Sequence, residues 1–133
     1  MRLAIRAEAG RLIVAASGTF SLPEAKRTFL EILDAAWSHQ SKAILFDGRQ
    51  LGGSPSAMER FYYASFAAES LIDAARRQGV NPPRFAYVMN EPVLDRDRFG
   101  ETVAVNRGML VKAFDNIEEA EAWLRATSDG DEP

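Results

Sequence analysis

Apolar residues near the start of the chain alternate with polar ones. Leu3, Ile5 and Ala7 interleave with Arg2, Arg6 and Glu8. Strict alternation predicts a half-buried strand, and an unbroken apolar run predicts a strand covered on both faces. The run Leu12-Ile13-Val14-Ala15-Ala16 is of the second kind. Glu8-Ala9-Gly10 joins the two, so they are expected to pair as an antiparallel hairpin. Three further runs read as buried strands, at 43–46, 85–89 and 109–114.

Between the strands the apolar period changes to that of a helix. Ala25, Phe29, Ile32, Leu33 and Ala36 fall on one face behind Ser21-Leu22-Pro23-Glu24. That tetrapeptide has the spacing of a capping box, in which the serine hydroxyl accepts from the third backbone N–H and the glutamate reaches back. The same pattern recurs in Ser56-Ala57-Met58-Glu59 and in Asp115-Asn116-Ile117-Glu118. The second opens a long helix over 56–78, closed by Gly79, and the third opens a last helix reaching Leu124. A helix over about 95–107 completes the series. The order ββαβαβαβα predicts an α/β fold: a five-stranded mixed, mostly parallel sheet with four helices.

The chain has 133 residues, and 47% of them are hydrophobic, which suits one soluble domain. Sixteen Lys and Arg face nineteen Asp and Glu. Three of the acids, Asp129, Asp131 and Glu132, sit in the last seven positions, so the rest of the chain is charge-neutral. The expected organisation is a single domain over 1–126 followed by a flexible acidic tail over 127–133. A neutral body argues against electrostatically driven nucleic-acid binding. Cysteine is absent and His39 is the lone histidine, which excludes thiolate chemistry, zinc-thiolate sites and any site needing two histidines. No cofactor and no metal are expected. No stretch has the length of a membrane span, and the start of the chain has no signal-peptide pattern, so a cytoplasmic location is expected.

The run of elements resembles the anti-sigma-factor-antagonist (STAS) fold, and in particular its SpoIIAA-like relatives. The resemblance is carried by Gly10-Arg11-Leu12-Ile13-Val14, by Ser17-Gly18-Thr19-Phe20 and by Ile44-Leu45-Phe46-Asp47. Further on it rests on Phe85-Ala86-Tyr87-Val88, Arg107-Gly108 and the stretch from Phe114-Asp115 to Trp123-Leu124. It spans about 8–125. It implies a non-catalytic regulatory or protein-interaction module, and a homodimer is the expected assembly. The fold is also similar to CRAL-TRIO lipid-binding domains. A carrier or sensor of a small apolar or amphipathic, lipid-like ligand, held between the long helix and the third, is therefore the alternative. An enzyme using Asp47 and Arg49 has least in its favour.

The resemblance places a phosphorylation-like position at Ser56. This chain departs from the family pattern there, with Pro55 in place of an acidic residue and Ala57 in place of glycine. Serine is also a preferred N-cap, so Ser56 is expected to cap the long helix. Asp47 and Arg49 fall at the C-terminal end of a central strand, the edge where open α/β sheets usually hold ligands. A local turn and a surface ion pair are the plainer reading of the two. Phe61, Ala64, Ala68, Leu71, Ile72 and Ala75 form the expected core face of the long helix. Tyr62, Tyr63 and Phe66 are expected on its polar side, as a ligand or partner surface.

Overall fold

A computed structural model describes residues 1–130. Its elements are β1 (Arg2–Glu8), β2 (Arg11–Thr19), α1 (Leu22–Ser38), β3 (Ala43–Gly52), α2 (Ala57–Gln78), β4 (Arg84–Val88), α3 (Phe99–Asn106), β5 (Val111–Phe114) and α4 (Ile117–Gly130). The five strands stand in the sheet in chain order, β1-β2-β3-β4-β5. β1 and β2 are antiparallel and the remaining pairs are parallel, as the hairpin and crossover rules predict.

That order has a direct consequence. The strand sequence never reverses, so right-handed crossovers put α1, α2 and α3 on the same face. Leu12, Val14, Ile44, Phe46, Phe85 and Tyr87 alternate inward there and meet Phe29, Ile32 and Leu33 of α1 and Ala67, Ala68 and Leu71 of α2. The opposite face holds a smaller core. Leu45, Ala86, Val88 and Phe114 pack there against Ala120 and Leu124 of α4.

Element ends differ from the sequence pattern where side chains compete with it. β3 continues past Phe46 to Gly52 because β2 pairs with it as far as Thr19, across a register shift between Ala15 and Ser17. The third helix starts at Phe99 rather than near Asp95. Asp95 Oδ2 does accept from the Phe99 N–H at 2.8 Å, but Arg98 takes a left-handed conformation (φ 57°) that breaks the helical run. β5 begins at Val111, since the Met109 N–H bonds back to the Ala104 carbonyl and the side chain joins the core. α4 is capped by Asn116, whose Oδ1 accepts from Glu119 N–H at 2.9 Å, one residue later than the sequence pattern suggests. Its backbone passes position 127, where the expected tail begins; 131–133 lie outside the described residues.

Candidate functional site

The C-terminal sheet edge holds Asp47 and Arg49 on β3. Positions i and i+2 of a strand point to one face, and the two side chains meet there. Arg49 donates from Nε to Asp47 Oδ1 and from Nη2 to Oδ2, both at 2.8 Å, and its backbone N–H adds a bond to Oδ1 at 3.2 Å. The hydrogen bonds from Arg49 hold the Asp47 carboxyl below its usual range, and Asp47 raises the guanidinium in return. Each group has the other as its partner in a surface ion pair. The sheet also has no reversal of strand order, and so lacks the crevice that such a reversal opens. The structure thus places the two residues together at this edge as a local ion pair, the plainer of the two readings.

Ser56 lies at the start of α2 in extended conformation (φ −73°, ψ 166°). Its Oγ accepts from Glu59 N–H at 3.1 Å, and its own N–H donates to Glu59 Oε1 at 2.9 Å. The capping box is complete. Ser56→Ala should cost about 0.5–2 kcal/mol, whereas Ser56→Asp, which keeps an acceptor at the cap, should stay close to wild type. Urea titration of the three proteins checks this; an alanine variant as stable as wild type would remove the cap from the account of α2.

The aromatic residues of α2 do not share a polar side. Tyr62 is exposed, at 47%. Tyr63 and Phe66 turn toward α1 and pack on the main core. Their rings meet Phe29 edge-on at 6.1 and 6.5 Å, and Lys26 Nζ sits 5.4 Å from the centre of the Phe66 ring. On the other flank of α2, the Arg107 guanidinium covers Phe61 at 5.4 Å. The reason is the layer itself. α2 is the middle helix of three, so it is covered by the sheet below, by α1 on one side and by α3 on the other. Its apolar arc is wider than a two-layer contact requires. The three therefore do not form one exposed surface as expected: Tyr62 is about half exposed, while Tyr63 and Phe66 are partly buried against the core.

The same geometry builds an internal feature that the sequence pattern does not single out. α3 has eight residues, a rod of about 12 Å. It leaves part of the sheet beneath it to the segment between β4 and α3. A cavity of about 130 Å³ lies there. Phe46 and Leu51 of β3 form its floor with Tyr87 of β4, Tyr63 and Ala67 of α2 form one wall, and Met89, Ala104 and Met109 line another, leaving it partly open at the surface. The Tyr63 and Tyr87 hydroxyls lie 2.7 Å apart, each the other's partner. Burial pushes the Tyr63 phenol up to about 12 and Tyr87 well above its ordinary value, so both are neutral at physiological pH. The signal in the sequence was Tyr87 itself. A tyrosine inside an otherwise apolar central strand needs a hydroxyl partner in the core.

No protein-family model and no curated protein matches the chain. Solved structures do. A serine-to-glutamate variant of RsbS from Moorella thermoacetica is similar over 97% of this chain and 99% of its own, with a TM-score of 0.59 at 16% identity. An anti-sigma factor antagonist from Mycobacterium paratuberculosis is similar over 93% of each chain, with a TM-score of 0.53 at 13% identity. The likeness is one of fold: the mixed five-stranded sheet and its helices are shared with these two structures along nearly the whole chain. Among the described residues, no helix is long and apolar enough to cross a membrane.

Proposed function

We propose that the chain is a non-catalytic regulatory domain that works by binding another protein. The observation that carries this reading is the fold match along nearly the whole chain. One of the matched proteins is named an antagonist of an anti-sigma factor, and such a factor is itself a protein. The surface that suits the role is the first two turns of α2. Met58 and Tyr62, one helical turn apart, are 56% and 47% exposed beside the exposed Ser56 cap. A methionine and a tyrosine there supply adaptable apolar area with a polar tip for the wet margin.

A homodimer through the same face and a cytoplasmic setting are the finer points of the proposal. Ser56 as a modified residue belongs here too: a phosphate would meet the helix N-terminus favourably but would have to displace the Glu59 arm of the capping box.

The test places a photoreactive benzoylphenylalanine at Met58, and separately at Val80 beyond the far end of α2, some 33 Å away along the helix. Illumination in the source cells should give a discrete adduct from position 58 and none from position 80. Tyr62→Glu in the same chain should abolish it. An adduct of twice the chain mass identifies the homodimer, and any other mass a distinct partner. Equal labelling from both positions, or none from 58, overturns the reading.

A further inference from the structure

The cavity under α3 has a chemistry of its own, separate from the outer face of α2. Its volume is close to the roughly 150 Å³ of engineered apolar cavities that take up benzene, but it is partly open at the surface. Its lining is mostly apolar; besides Thr28 and four charged side chains, the polar feature in it is the hydroxyl pair of Tyr63 and Tyr87. Two hydroxyls own two protons, and one hydrogen bond between them uses one. Among the described residues the pair is bonded only to itself, so the second proton is free to meet an acceptor in the pocket.

The charged groups around the cavity are already occupied. Arg60 donates to the carbonyls of Pro92 and Val93, and Arg98 to those of Asp95, Arg96 and Ala113. Asp95 accepts from Phe99 N–H, and Glu101 from Ala113 N–H at 2.6 Å. Two cations and two carboxylates thus fasten the β4–α3 segment and β5, and they leave no net charge for an ionic ligand.

We infer that this cavity is a binding site for a small neutral molecule, about the size of a substituted benzene, whose single hydrogen-bond acceptor takes the spare hydroxyl proton of the Tyr63–Tyr87 pair. The apolar body packs on the apolar lining, and the acceptor takes the second proton of the pair. Both phenols stay neutral at physiological pH, so the donor is always present.

The methionines make the site readable in the intact protein. Met89 and Met109 line the cavity, while Met58 lies on the outer surface of α2. With methionine methyls labelled by carbon-13, acetophenone should shift Met89 and Met109 saturably and leave Met58 in place. Ethylbenzene, of similar shape but without the carbonyl, should do the same with roughly two- to tenfold weaker affinity. In Tyr63→Phe/Tyr87→Phe the two probes should bind within about twofold of each other, because the hydrogen bond is gone and the void remains. Three results overturn the inference: cavity methyls that stay still up to the solubility limit of acetophenone, Met58 moving in step with them, or ethylbenzene binding the wild type as tightly. The wild-type comparison decides even if the double variant does not fold.

Discussion

Phe29→Ala should lower the stability of the domain by about 3–5 kcal/mol, the range for truncating a buried aromatic residue. Phe29 is fully buried in the middle of α1. Its ring stacks on Phe85 of β4 at 5.4 Å and meets Tyr63 and Phe66 of α2 edge-on. One side chain therefore joins two helices and the central part of the sheet. Its removal takes away its own transfer free energy and the favourable geometry of three ring pairs, each worth about 0.5–1.5 kcal/mol beyond its area. The surrounding rings belong to two helices and a central strand, so they cannot collapse fully into the space. A loss of this size is a large fraction of the roughly 5–15 kcal/mol that holds a domain together. Urea unfolding should show a lower midpoint with an unchanged slope. Phe29→Leu, which keeps most of the volume, should cost well under half as much. A loss below about 1 kcal/mol in the alanine variant would mean that α1 and α2 are held by something other than this ring cluster.

The layers of the fold were legible in the sequence because each rests on a local signal. The serines at 21 and 56 start helices by accepting from the N–H three residues on, and Gly79 stops α2 in a left-handed conformation at φ 70°. Inward positions of α1 follow one clean stripe, and Ala25, Phe29, Ile32, Leu33 and Ala36 are all buried as the pattern predicts. The aromatic residues of α2 were not legible in the same way. Helical periodicity tells how many residues a face can hold, not how many neighbours the helix has. Phe66 packs against Phe29 of α1, and Tyr63 reaches both Phe29 and Tyr87 of β4, so their cover comes from the neighbouring helix as well as the sheet. That is a fact of strand order, which no window of the sequence contains. The pairing of Asp47 with Arg49 was foreseeable from their i, i+2 spacing. The meeting of Tyr63 with Tyr87 was not, since 24 residues and a helix-to-sheet contact separate them.

Gly48→Ala should destabilise the domain by about 1–3 kcal/mol, as overpacking does, and should change the cavity at the same time. Gly48 lies in β3, just where its register against β2 shifts: Ala15 pairs with Asp47, but Ser17 pairs with Gln50. Glycine is common at such irregularities, and here the reason is space, since its backbone is not in the left-handed region. An added Cβ would stand 2.8 Å from Phe46 Cε1, 2.9 Å from Met89 Cγ and 3.2 Å from Leu51 Cδ1. No backbone atom is among these neighbours. All three side chains line the cavity, so they have an open volume to move into. That makes the expected cost moderate rather than ruinous, and it gives the cost a direction. Phe46 and Met89 should be pushed inward, leaving less room for a ligand. The Met89 methyl resonance should therefore move in Gly48→Ala while Met58 stays fixed, and acetophenone should bind less tightly than to the wild type. Gly48→Val, with two more carbons against the same three neighbours, should exceed the alanine cost. If Gly48→Ala loses stability with Met89 unmoved, the strain is taken up by the β3 backbone instead. If it loses none, the sheet at this point is looser than the contacts around Gly48 require.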